Sequence, residues 1–102
     1  MPVDIIVLYD TPADPGAFDR HFRGVHVPLV RTIPGVLEFE TSSGPIAVEG
    51  GAACHQMARL RFASHEALQA ALDSEPGHAA HADLANFAQA GVALITVDVE
   101  TV

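Results

Sequence analysis

The chain contains no lysine and no tryptophan, and only one cysteine. It also lacks any apolar run approaching the ~18–20 residues that span a bilayer. Without lysine, its fixed positive charge comes from arginine alone, and 5 basic residues stand against 13 acidic ones for a formal net charge of −8. That balance argues against nucleic acid, whose affinity rests on neutralising phosphates, and against anionic membrane surfaces. A lone Cys54 cannot form an internal disulfide or a cysteine-based zinc site, and it suits a reducing compartment. No charged-then-apolar stretch reads as an export signal, so the cytoplasm is the expected location. There is no glycine-rich phosphate loop, no G-x-S-x-G elbow and no zinc spacing.

What is present is a hydrophobic chain of 102 residues, 49% hydrophobic and 18% charged, which predicts one domain over residues 1–102 around a single core. Val3 to Tyr9 is a β-branched and aromatic run of strand length, apolar at every position from Ile5, as in strands covered on both faces. Val36 to Thr41 alternates, with Leu37, Phe39 and Thr41 on one face and Glu38 and Glu40 on the other. Cys54 to Phe62 follows, with Ala58, Leu60 and Phe62 opposite Met57, Arg59 and Arg61. Paired antiparallel, these two strands could set Arg59 and Arg61 across from Glu38 and Glu40, either as a solvated ladder or as the wall of a polar pocket. Ser64 caps a helix striped by Leu68, Ala71 and Leu72. Pro76 starts a further helical segment, with Ala80, Leu84, Phe87 and Ala88 in period. Val92 to Val99 is a final strand.

The order β-α-β-β-α-β is the split arrangement of ferredoxin-like α+β folds, a four-stranded antiparallel sheet with both helical regions on one face. The first and last strands are read as central and apolar on both sides, so two helices leave one sheet face uncovered. A second copy, packed sheet against sheet, is the expected cover: a homodimer.

The stretch from Phe18 to Gly35 (FDRHFRGVHVPLVRTIPG) concentrates the chemistry. Asp14 and Pro15 open a helix, and Phe18, Phe22, Val25 and Leu29 mark one apolar face. His26 lies four residues beyond Phe22 and so points inward. Pro28 removes a backbone N–H, predicting a break or kink beside His26. Near neutral pH such an imidazole can serve as general acid or base, or it can simply satisfy backbone groups at the break. Tyr9, the only tyrosine, can offer a phenol to a substrate carbonyl, or keep a wet hydroxyl at a strand end. His55 shares the face of Met57 and is a weaker pocket candidate. His21 and His65 flank charged residues and read as surface. His78 and His81, three apart on a helix, lack a third metal ligand, and no histidine stands out as an axial haem ligand. No metal and no cofactor are expected.

His26-Val27-Pro28-Leu29, preceded by Phe18 and Phe22 and followed by Ile33-Pro34-Gly35-Val36, resembles the signature of EthD-type proteins of the dimeric α+β barrel superfamily. Ser64 to Leu72 and Ala82 to Phe87 are similar to that family's second helical region. The resemblance implies a ferredoxin-like protomer in a dimeric barrel, with His26 in the pocket. Taken with the residues themselves, the expected ligand is a hydrophobic or aromatic small molecule held among Phe18, Phe22, Leu29, His55 and Phe87, with His26 and Tyr9 as the catalytic residues. A cofactor-free isomerase, cyclase or monooxygenase of degradative or secondary metabolism fits this reading. A non-catalytic binding or accessory protein of a catabolic pathway is the alternative.

Overall fold

In the computed structural model, which describes residues 1–102, the first apolar run forms strand β1, Val3–Asp10. Its odd-numbered residues Val3, Ile5, Val7 and Tyr9 are buried in the core, and the intervening Ile6 and Leu8 are only half-buried. After Asp10 the chain enters helix α1, Pro15–His21, continues through a π-helical segment, Phe22–His26, and closes with helix α2, Val27–Val30. Asp14 caps α1 by accepting from the Ala17 amide at 3.1 Å, with Pro15 in the first turn. Strand β2, Glu38–Thr41, is two residues shorter than its sequence pattern, and Leu37 before it is 61% exposed. Strand β3, Cys54–Phe62, is followed by helix α3, His65–Asp73, helix α4, Glu75–Phe87, and strand β4, Val92–Asp98. Ser64 and Ser74 cap α3 and α4 through side-chain oxygens.

All strand pairs are antiparallel and the sheet order is β2-β3-β1-β4. The fold is α+β and ferredoxin-like, with the helices on the face that carries Val3, Ile5, Val7, Ala58, Leu60 and Phe62. One expectation is corrected. The central strands are β1 and β3, and β4 lies at the edge. Strand β4 is apolar yet largely uncovered in the single chain, with Leu94, Ile95 and Val97 all exposed.

The break or kink predicted beside His26 takes the form of a π-helical segment, and the chain stays helical through Pro28. Val27 keeps helical dihedrals, φ −58° and ψ −46°, and its amide donates to the Phe22 carbonyl five residues back. A π turn holds one more residue than an α turn, so the chain stays helical while Pro28 contributes no N–H. The extra residue also rotates the apolar face. Phe18, Phe22, His26 and Val30 are the buried set; Val25 is 44% exposed and Leu29 half-buried. An uninterrupted α-helix would drift about 40° with every four-residue step, and the π segment offsets that drift.

The two glutamates of β2 do face the arginines of β3, Glu38 opposite Arg61 and Glu40 opposite Arg59. Both carboxylates bind Arg59 at 2.6 Å, while Arg61 turns instead to the buried Asp4 of β1 at 2.8 Å. Arg59 also reaches Asp4, at 3.1 Å. Hydrogen bonding from Arg61 outweighs desolvation and holds the Asp4 carboxyl below its ordinary value.

Candidate functional site

A cavity of about 70 Å3 lies between the sheet and the helices, several times the space one water needs. Its walls are almost wholly apolar: Ile5, Val7, Ala58 and Leu60 from the sheet, Phe22 and Val30 from the first helical stretch, and Ala80 and Leu84 from α4. Tyr9 and His26 also line it and are only 1% and 5% exposed. His81 and the exposed side chains of Leu72 and Leu94 form its outer end.

His26, four residues beyond Phe22, ends the π segment on its buried side. Its Nδ1 lies 2.9 Å from Asp83 Oδ2 on α4. Since a carboxylate can only accept, Nδ1 carries the proton, and the neutral ring presents an unprotonated Nε2. That nitrogen makes no hydrogen bond to protein, nor does the Tyr9 hydroxyl, yet no fully enclosed side-chain polar atom lacks a partner. Both atoms are therefore accessible rather than sealed in the core, on residues that line the cavity. Burial pushes the His26 imidazole below its ordinary value, and the Asp83 hydrogen bond opposes this only in part. Burial, reinforced by the Asp83 charge, pushes the Tyr9 phenol far up, so it remains a proton donor.

Asp83 is the member of this candidate site that reading the sequence misses. It accepts from His26, from His21 Nε2 at 2.8 Å and 3.0 Å, and from Asn86 Nδ2 at 3.0 Å. Burial would raise its carboxyl, but hydrogen bonds from Asn86, His21 and His26 together hold it below the ordinary 3.8. The signal was present: Asp83 is three residues after Ala80 and four before Phe87, an acid inside an apolar stripe. His21, read from sequence as a surface residue, is half-buried and stacked on Phe87 with ring centres 5.0 Å apart.

The remaining candidates divide. Phe22 lines the cavity; Phe18 and Phe87 pack behind it, within 5.6 Å of the Tyr9 ring, and face a separate groove with His21 and Asn86. Leu29 is off the cavity wall, its place taken by Val30. His55 does not share the charged face of Met57. A register shift in the β1–β3 ladder, with Tyr9 opposite Gln56 and Asp10 opposite Cys54, leaves His55 unpaired. Its ring meets Phe18 edge-on at 4.9 Å and its Nε2 binds Asp19 of α1 at 2.8 Å. No group of three or more histidine, cysteine or carboxylate side chains is arranged to hold a metal ion, and no helix is long and apolar enough to cross a membrane.

Residues 10–91 match the EthD domain. The chain is 39% identical over 98 residues to an uncharacterised 11.0 kDa protein of the thcB-thcC intergenic region of Rhodococcus erythropolis, spanning 96% of this chain and 95% of that one. Among solved structures, an EthD family protein from Bacillus halodurans superposes with a TM-score of 0.88 at 31% identity, covering 98% of this chain and all of the other. More distant structures share the fold alone. A dimeric ferredoxin-like protein from Thermobifida fusca has a TM-score of 0.74 at 14% identity, covering 97% and 92% of the two chains. The cofactor-independent oxygenase SnoaB from Streptomyces nogalater has a TM-score of 0.69 at 12% identity, covering 99% and 95%.

Proposed function

The chain belongs to the EthD family, and on that footing we propose that it is a homodimer binding a hydrophobic or aromatic small molecule between sheet and helices, with His26 as its acid/base group. One observation carries this reading: His26 is fixed to Asp83 through Nδ1 and leaves Nε2 without a protein partner, on the wall of an apolar cavity that Tyr9 also lines. Apolar pockets with a few convergent polar groups are the usual form of small-molecule sites.

The chemistry such a pair supports is proton transfer. His26 Nε2 takes a proton from a carbon next to a carbonyl, or from a phenol, and the Tyr9 hydroxyl donates a hydrogen bond to the oxygen on which charge develops. Returning the proton to a different carbon makes an isomerase, and attack of the enolate carbon on a second carbonyl makes a cyclase. A monooxygenase would need dioxygen as co-reactant, and SnoaB supports that branch at the level of fold. The competing reading, a binding or accessory protein without turnover, draws on the small size of the cavity. The cytoplasm is the proposed compartment, on the strength of the lone cysteine.

A thermal-shift screen of small phenols, cyclic enones and lactones, run on the wild type and His26→Ala, tests the reading. Binding that is present in the wild type and lost in the variant supports it. No binding, or equal binding in both proteins, overturns it. Turnover of a bound compound without added cofactor, abolished in His26→Gln, separates the enzyme from the carrier.

A further inference from the structure

Asp83 is held by two histidines of one helical stretch. His26 approaches from the cavity side. His21, one turn earlier, approaches from a groove lined by Asp14, Phe18, Asn86 and Phe87. The His21 side chain retains 26% of its exposure and that of His26 only 7%. Both rings donate to the same oxygen, Oδ2, at 3.0 Å and 2.9 Å, and His21 also reaches Oδ1 at 2.8 Å.

We propose that His21 is a positioning residue of this site: it anchors Asp83 from the solvent side and carries the positive charge that the carboxylate can compensate, so His26 stays neutral. One carboxylate offsets one cation, and two imidazolium rings bonded to one carboxylate repel each other. The second charge therefore belongs on the ring nearer water, where hydration opposes it least. Asn86 fixes Oδ1 from the same helix at 3.0 Å, so Asp83 cannot swing to serve one ring alone. The other groups facing the pair are few. Tyr9 of β1 is a neutral donor, His81 of α4 stands at the outer end of the cavity, and Asp14 shares the groove with His21. The charge of His21 is among the influences that hold His26 down.

The inference rests on His26 being the acid/base group, but its test needs no ligand, so it can fail independently of that reading. The imidazole Cε1–H resonances of the full chain are followed by NMR across pH, with His26 assigned by its loss in His26→Gln. In His21→Gln, which keeps an N–H donor without the charge, the His26 midpoint should rise by on the order of 0.5–1 pH unit. In His21→Arg, which keeps a permanent charge, it should stay at or below the wild-type value. Midpoints unchanged in both variants, or raised equally in both, would show that His21 only packs and would overturn the proposal. If either variant fails to fold, the wild type decides: titration of His21 must displace the His26 resonance, and two independent single-site curves contradict the coupling.

Discussion

Asp83 accepts hydrogen bonds from His21, His26 and Asn86 within a layer that is otherwise apolar, so an asparagine there keeps the shape but removes the charge. An amide has one acceptor oxygen, and one histidine would lose its partner. Asp83→Asn should therefore destabilise by roughly 1–3 kcal/mol, read as a lower urea midpoint. His26→Ala should cost less, because only Nδ1 is bonded to protein, yet it should remove ligand binding. The pH dependence of stability has two parts. His26 has a folded value below its unfolded one, so between those values the unfolded chain binds more protons. Stability should fall as pH drops through the window below about 6.5, and His26→Gln should lack that loss. Asp4 and Asp83 are held below 3.8, so the stability they contribute is present above that value and lost as pH falls through their folded values. Urea midpoints measured from pH 7 to pH 3 should fall in these two stages.

Helix α1, the π segment and α2 show what the sequence could and could not disclose. The N-cap at Asp14, the inward Phe18 and Phe22, and the inward His26 follow from residue types and spacing. The rest depended on how Pro28 would be accommodated. A break and a π turn satisfy the same missing N–H, and only the second moves Val25 out and Val30 in. The side that His55 meets is hidden from the sequence for a similar reason, since one bulge residue changes which side a strand residue meets. Asp83 went unseen because a stripe is recognised by its apolar members. Deleting Gly24, which is exposed and crowded by nothing within 4 Å, should restore a plain α turn and rotate His26 away from Asp83. The Nδ1-protonated tautomer would then be lost from the NMR spectrum while the sheet signals persist. At the α3–α4 junction a Cβ on Gly77 would stand 2.1 Å from the Ala71 carbonyl oxygen. Gly77→Ala should cost about 1–3 kcal/mol by forcing the helices apart at the cavity wall, measured by chemical unfolding.

For the whole molecule, the sheet face opposite the helices governs assembly. The ladder register places Ile6, Leu8, Ile95 and Val97 together on that face, next to the Asp4, Arg59 and Arg61 network. Antiparallel order and ferredoxin-like topology were legible because each strand had its own period and its own turn residues. The edge position of β4 was not, because hydrophobicity reports covering without saying what covers. The proposed homodimer accounts for this face. Ile6→Asp should yield a folded monomer by sedimentation, whereas Val7→Asp, one residue along in the protomer core, should prevent folding. A native monomer of the wild type at micromolar concentration would refute the dimer.

The central claim, that His26 offers a free base to a small molecule inside the cavity, is tested most directly by titrating the protein with phenol while following the histidine and Tyr9 resonances. The account predicts a saturable shift at His26 and Tyr9, absent in Asp83→Asn for the His26 signal, with the exposed His65 unmoved. Shifts confined to exposed histidines, or none at any histidine up to the solubility of phenol, would contradict it.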